Sequence, residues 1–363
     1  MAASFRALLA CAMLLSTAGG LHLARAWAQS ASEPSLPTDS FLKPGRLQRG
    51  PDGRIYLETQ TGIDERRVCP PGSQSEACDH HSVAEALGAA RFGEIVTIAS
   101  GVYREGAVLR ADGVTIRAEP GAHMQGAAVR GKAALVIQGN DTVIEGLECS
   151  GIAVRDGNGA CIRLEGRNLT LRGVYFRDSQ QGLLGGKGTI LIEDSRFERL
   201  GYGGQAHGVY VLGEELIIRR TQFLSSKGQG HEIKSRTART IIEQSVVASL
   251  DGDDSRLIDI SNGGEVLIRG NVLEIGPRSV NYEMIGIGYE GLKHERNEAV
   301  IEDNLIIKDH PNAILYGGPV AAVIRDNVIV GGQSRENNRW FPDRAQAGLP
   351  PYPYLPAPGD RRP

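Results

Sequence analysis

The 363-residue sequence predicts an all-β solenoid of about nine to ten coils of stacked parallel strands. Three observations predict it: a short phrase that recurs, a charge in that phrase that alternates in sign, and apolar columns at fixed positions beside it. The phrase reads VTIRAEPG at 114–121, TVIEGLEC at 142–149, LTLRGVYF at 169–176 and ILIEDSRF at 190–197. It returns as LIIRRTQF at 216–223, TIIEQSVV at 240–247 and VLIRGNVL at 266–273, then in shortened form from Val300 and Val323.

The third position is always Ile or Leu: Ile116, Ile144, Leu171, Ile192, Ile218, Ile242, Ile268, Ile301 and Ile324. Successive intervals are 28, 27, 21, 26, 24, 26, 33 and 23 residues, with a mean of 26. A repeat this short, built on β-type phrases, suits stacked strands and not helical hairpins. The fourth position runs Arg117, Glu145, Arg172, Glu193, Arg219, Glu243, Arg269, Glu302, Arg325. Stacked strands bring such residues to roughly 4.8 Å, where like charges repel and unlike charges attract. Random choice between the two signs would alternate this well in roughly one case in 250, so the order implies cross-strand pairing.

Side chains alternate along a strand, so a charged position four facing outward turns position three inward. Position eight is a second core column, with Phe176, Phe197, Phe223, Val247, Leu273, Ile306 and Ile329. Position six holds Ser195, Thr221, Ser245, Asn271, Asn304 and Asn327, which suit a corner bonding the next coil's backbone. Position two is apolar although it should face outward (Val143, Leu191, Ile217, Ile241, Leu267, Val300, Val323), so a cover is expected. High glycine and only 5% aromatic residues fit tight corners around a thin aliphatic core. A net charge of −3, without a basic stripe, gives no sign of a nucleic-acid partner.

In chain order, residues 1–28 read as an export signal: Arg6, an apolar run, then Ala26-Trp27-Ala28 as a cleavage site. Cleavage would leave no membrane span and a periplasmic or secreted protein. Residues 29–54 read as a Ser-, Pro- and Gly-rich linker, within a 29–80 cap region. Export and an even count of remaining cysteines favour two disulfides. Cys69 pairing with Cys78 is expected; Cys149 pairs with Cys161 or stays a buried thiol. Ser82-Val83-Ala84-Glu85 fits a capping box opening a helix over 83–91, with Ala84, Leu87 and Ala90 as its apolar stripe. Residues 333–363 form a Pro-rich tail whose aromatics could cap the last coil or lie on the position-two column.

After that helix come Gly93-Glu94-Ile95-Val96-Thr97-Ile98 and Gly101-Val102-Tyr103-Arg104-Glu105. Here the chain resembles the start of right-handed parallel β-helix proteins of the pectate-lyase-like group, and in repeat form the resemblance spans about 81–332. It implies a right-handed parallel β-helix with an N-terminal capping helix. A right-handed crossover is also what parallel strands prefer.

A further column precedes each phrase. With Val209, Ile233, Ile258 and Ile285 inward, Tyr210, Lys234 and Asp259 fall outward on consecutive coils. Glu232 and Arg236 are read onto the same face. His207 and His231 open adjacent strands, and Arg256 precedes the third. This is the densest titratable cluster of the chain, and an extended polymer site on a solenoid needs such a groove. Glu232-Ile233-Lys234-Ser235 resembles, in shortened form, the lysine-bearing strand of the chondroitinase B and alginate lyase family. An Arg follows about one coil later in that family, as Arg256 does here. That resemblance implies a lyase on an acidic, uronate-containing polysaccharide.

The roles expected are Lys234 as base and Arg236 or Arg256 on the substrate carboxylate. Tyr210, His231 or His207 would protonate the leaving oxygen, and Asp259 would orient its neighbours. Glu232 would help bind substrate. No cofactor is required, and Glu232, Asp251, Asp253 and Asp254 are the residues that could hold calcium. The alternatives are a glycoside hydrolase using Glu232, Asp259 or Asp254, and a non-catalytic polysaccharide-binding solenoid. A monomer is expected.

Overall fold

A computed structural model describes the backbone of residues 46–49 and 55–58 and the whole of 64–356. The expected export signal at 1–28 lies outside the described residues. Within the stretch read as a linker, Arg46–Arg49 pairs antiparallel with Ile55–Glu58, in a separate unit that ends at Gln60.

From Glu65 onward the described residues form a right-handed parallel β-helix with three walls. Wall one stacks Ala107–Leu109, Ala133–Ile137, Val209–Val211, Ile233–Ser235, Ile258–Ile260, Glu283–Ile287 and Ile314–Gly317. Wall two stacks positions one to four of the phrase. Two long strands, Ala160–Arg172 and Gln181–Glu193, run through both walls and join them into one 18-stranded sheet. Wall three is an 11-stranded sheet from Gly101–Tyr103 to Arg339–Phe341.

Wall two has the register the repeat predicts. Glu145 lies beside Arg117 and Arg172, and the pairing continues step by step to Glu302 beside Arg325. Ion pairs close six of the eight steps, among them Arg172–Glu193 at 2.9 Å and Arg269–Glu243 at 2.5 Å. Glu193 turns instead to Arg220, at 3.2 Å. Behind the ladder every position-three residue is fully buried up to Ile301. On wall three Phe197 sits edge-on to Phe176 at 5.4 Å and stacks on Phe223 at 4.7 Å.

The corner between walls two and three explains the small polar column. Position five takes positive φ on successive coils: Gly146, Gly173, Asp194, Arg220, Gln244, Gly270, Asp303 and Asp326. The chain then turns, and the backbone N–H at position six donates to the position-six side chain of the next coil. Thr221 N–H donates to Ser245 Oγ, Ser245 N–H to Asn271 Oδ1, Asn271 N–H to Asn304 Oδ1 and Asn304 N–H to Asn327 Oδ1. The asparagine amides also donate up the column, Asn271 to Asn304 at 3.0 Å and Asn304 to Asn327 at 2.9 Å. A buried ladder with every donor used carries the full strength of a low-dielectric hydrogen bond.

At the N-terminal end the helix spans Val83–Ala89, two residues shorter than expected. Ser82 Oγ accepts the Glu85 N–H, as the capping box predicts. The remaining end amides go to Glu105, whose carboxylate accepts from Val83 N–H at 2.7 Å and from Ser82 Oγ at 2.6 Å. The buried Tyr103 hydroxyl donates to Ala99 O at 2.8 Å, and Glu94 accepts from Arg66 Nε at 2.7 Å. The residues that resembled a β-helix start therefore tie the cap to the first coil. Val83, Ala86 and Leu87 are the buried face, and Ala84 and Ala90 of the stripe read from sequence pack against the core from its edge, partly buried. Both disulfides, Cys69–Cys78 and Cys149–Cys161, are formed.

Of the two placements expected for the tail, it pairs with the last coil, and the column it covers is not the position-two column. Arg339–Phe341 adds a strand to wall three, and Ala347 and Leu349 pack on Val246, Val272, Ile307 and Val330, the outward face of that wall. Arg344 Nε donates to Asp309 at 2.8 Å and fastens the tail. The position-two column on wall two lies instead between two charged rows, position four and the row Glu215, Arg239, Glu265. Long charged side chains screen apolar neighbours with their stems. Ile217, Ile241 and Leu267 are buried there, while Val323 on the last coil, with no coil beyond it, is 51% exposed.

Glu243→Arg would place three guanidinium groups in a row. Two pairs at 0.2–1 kcal/mol each make about 1 kcal/mol, or about 2–4 °C in Tm. The loss is expected in dilute buffer and should shrink at high salt, as thermal denaturation at two ionic strengths will show. Truncation after Gly332 should uncover the outer face of wall three, lowering Tm and increasing binding of a hydrophobic dye; an unchanged Tm would contradict the covering role.

Candidate functional site

The outward column of wall one changes character along the solenoid. Its members are Val108, Val136, Arg163, Leu184, Tyr210, Lys234, Asp259, Gly286 and Gly317, in direct register. Tyr210, Lys234 and Asp259 therefore stand on three adjacent coils, as the alternation predicts. The two glycines follow because neighbouring side chains lie across them. A Cβ at Gly286 would fall 2.7 Å from Arg256 Nε.

Lys234 Nζ donates to Glu290 Oε1 at 2.9 Å and to Asp259 Oδ2 at 3.3 Å. Arg236 Nε donates to the Tyr210 hydroxyl at 2.6 Å and Nη1 to Asn262 Oδ1 at 2.8 Å, while Nη2 reaches the second oxygen of Glu290. Both cations also lie over the Tyr210 ring, at 5.6 and 5.5 Å from its centre. One carboxylate, Glu290, is thus held by two cations beside a phenol.

The histidines stand behind this group. His207 and His231 stack at 4.8 Å. The His231 N–H donates to His207 Nδ1, and the Arg256 N–H donates to His231 Nδ1, each at 3.0 Å. Both Nδ1 atoms are therefore acceptors, and the His231 proton sits on Nε2, 3.0 Å from Asp259 Oδ2. Burial, with His231 and Lys234 nearby, pushes His207 well below its ordinary value. Burial alone would raise Asp259, but the His231 hydrogen bond and the Lys234 and Arg256 cations outweigh it and hold the carboxyl well below the usual range. Glu290 is lowered as well: the hydrogen bonds from Lys234 and Arg236 outweigh its burial.

Arg256 turns away from Asp259. Its Nε donates to Glu283 Oε1 at 2.7 Å, its guanidinium lies 4.8 Å from the Tyr289 ring centre, and the Tyr289 hydroxyl donates to Glu283 at 2.7 Å. It flanks the cluster and does not join the Lys234–Arg236 pair. Glu283, Tyr289, Glu290 and Asn262 were not singled out from the sequence. A signal for two of them, Tyr289 and Glu290, existed: the 33-residue interval before Ile301 is seven longer than the mean, and the surplus is the loop after Ile287.

Several acidic residues leave the site altogether. Glu232 is 1% exposed and turns into the corner, where Ser226 donates to it through N–H and Oγ. The strand begins at Ile233, so alternation does not extend back to Glu232. Asp254, fully buried, accepts from Ser249 Oγ at 2.8 Å. Asp253 accepts the Gly228 N–H at 2.8 Å, and Asp251 lies 2.8 Å from the Tyr352 hydroxyl of the tail. Glu232 and Asp254 are thus out of reach of a polymer, as substrate ligands or as a hydrolytic pair. The four residues read as calcium ligands each have their own local partner. Among the described residues no three His, Cys, Asp or Glu side chains form a group that could hold a metal.

No protein-family model and no curated protein matches this sequence. Solved structures do. An alginate lyase from Paenibacillus sp. str. FPU-7 superposes with a TM-score of 0.50 at 16% identity, over 72% of this chain and 92% of that one. A pectin methylesterase from Erwinia chrysanthemi gives 0.49 at 12% identity, over 80% and 95%. An alginate lyase solved with a trisaccharide gives 0.45 at 17% identity, over 76% and 60%. The likeness to the Paenibacillus enzyme establishes the fold alone, a right-handed parallel β-helix.

The corner acids generate a pH prediction. Burial pushes Glu232 from 4.5 up to about 8, and likewise to about 8 Glu274, which lies on the wall-three strand Val272–Ile275 and accepts the Leu250 N–H; burial, with Glu232 nearby, raises Asp254. A raised pKa means the folded state holds protons that the unfolded chain releases. Their stabilisation is complete below about pH 4.5 and lost as pH rises through about 8. Tm should therefore fall from pH 6 to pH 9, and Glu232→Gln should flatten that decline. A Tm profile of the variant as steep as that of the wild type would contradict the assignment.

Proposed function

We propose that this chain is an exported enzyme that cleaves a uronate-containing polysaccharide by β-elimination on wall one. One observation carries the reading: Lys234 and Arg236 converge on a single carboxylate beside the hydroxyl of Tyr210. Elimination from a uronate needs its carboxylate neutralised, the proton on the adjacent carbon removed and the leaving oxygen protonated. A lysine and an arginine on one carboxylate supply the first need. The structural relatives named above are enzymes of pectin and alginate by their descriptions, which supports a polysaccharide substrate. The two disulfides and the leader-like residues 1–28 support export.

The geometry redistributes the roles expected from the sequence. Lys234 already donates to two carboxylates, which suits holding an anion and not accepting a proton. Both His231 nitrogens are engaged, so His231 positions Asp259, and Asp259 positions Lys234. Tyr210 is left with its own proton uncommitted and its oxygen held by Arg236. Once it has given that proton up to solvent, the oxyanion, still held by Arg236, takes the proton beside the substrate carboxylate. The C–H electrons form the new double bond as the glycosidic C–O bond breaks, and the phenol returns the proton to the departing oxygen.

The test is a panel of uronic-acid polymers, followed by ultraviolet absorbance of the unsaturated product. Tyr210→Phe should lower kcat by about 10²–10⁴-fold with binding retained. Lys234→Ala should raise KM as well. New reducing ends without absorbance would indicate hydrolysis, binding without either a non-catalytic solenoid. Wild-type turnover in Tyr210→Phe would move the chemistry elsewhere.

A further inference from the structure

The loop after Ile287 carries a carboxylate into the middle of the cluster. Glu290 receives Lys234 Nζ on one oxygen and Arg236 Nη2 on the other. Those are the two cations a substrate carboxylate would need. Its side chain is nevertheless 44% exposed, whereas Lys234 is 10% and Arg236 19% exposed. The cations are fixed from below: Lys234 by Asp259, Arg236 by Tyr210 and Asn262. Glu290 closes the site from the solvent side and is the one member that can leave without uncovering the wall.

The loop backbone does not need to move. Glu290 N–H donates to Ser261 O at 2.9 Å and Lys293 N–H to Asn262 O at 3.0 Å. Asn262 Nδ2 lies 3.2 Å from Gly291 O, and Gly264 N–H donates to Asn297 Oδ1 at 2.9 Å. These bonds continue the pairing of the coil beneath, so a change of side-chain rotamer is the only motion exchange requires. Rotamer changes of exposed side chains are fast and cost little beside two charge-assisted hydrogen bonds.

We infer that Lys234 and Arg236 form a carboxylate-binding subsite that Glu290 occupies as an internal competitor, leaving it when the carboxylate of an anionic ligand takes its place. The inference rests on the proposed function for its ligand class, uronates, and not for the subsite itself. Filling the subsite from within gives Arg236 a carboxylate and Lys234 a second one beside Asp259 while no ligand is bound. It also sets specificity. A neutral sugar cannot replace the lost pairs, and an anionic one replaces them one for one. The apparent affinity for an anionic ligand is reduced by the fraction of molecules in which Glu290 has left.

Two measurements test this. In the first, acetate is the probe. Glu290→Ala takes the solvent-side carboxylate from both cations, and 100 mM acetate should raise the Tm of this variant by at least about 1 °C over chloride at equal ionic strength, with no such rise in the wild type. In the second, trigalacturonate and a neutral galactose trisaccharide are titrated by calorimetry into the wild type and Glu290→Gln. The variant should bind trigalacturonate about tenfold more tightly and the neutral sugar no better. No acetate effect on Glu290→Ala overturns the subsite, as does equal or weaker trigalacturonate binding by Glu290→Gln. An acetate effect without binding of any uronate sustains the subsite and refutes the proposed substrate instead.

Discussion

The structure depends on the side-chain contacts between one coil and the next at a corner that turns without glycine in most coils. Positive φ at Asp194, Arg220, Gln244, Asp303 and Asp326 is costly for residues with a Cβ. What offsets that cost is the polar column directly after it, where each Ser, Thr or Asn accepts an amide from the preceding coil. The column holds adjacent coils in register, and register puts like beside like everywhere else: Ile on Ile, Phe on Phe, Arg on Glu. A one-residue slip would turn the charged ladder inward and bury it.

The candidate site takes its precision from the same constraint. Lys234 and Asp259 need no loop to bring them together, because parallel pairing places them side by side. The two histidines are held in the same way: each Nδ1 takes the backbone amide that begins the next coil, so imidazole substitutes for a strand bond at the wall's edge. Function then enters at the edge of regularity. The irregular pieces, the loop carrying Tyr289 and Glu290 and the glycines at 286 and 317, are what shape the surface above the column.

The corner acids show how local this order is. Glu232 precedes its strand by one residue, and that residue decides whether it faces a polymer or Ser226. The tail makes a similar point at longer range. Wall three presents Val246, Val272, Ile307 and Val330 outward, and the chain returns after the last coil to cover them. Wall two needs no such cover, because its apolar column runs between two rows of long charged side chains.

Periodic features were legible in the sequence because a repeat averages out local accident. The nine-fold column of Ile and Leu, the alternating ladder, the polar corner and the Tyr210–Lys234–Asp259 alignment each depend only on pairing and alternation, which the spacing of residues encodes. The capping helix was legible for the same reason, being written in local residues. The chemistry of the site was not. Which carboxylate pairs with Lys234, whether Arg256 joins it or turns to Glu283, and where Glu232 points depend on rotamers and on a loop inserted once. Contacts made by a single insertion leave no period to read, and only the folded chain decides them.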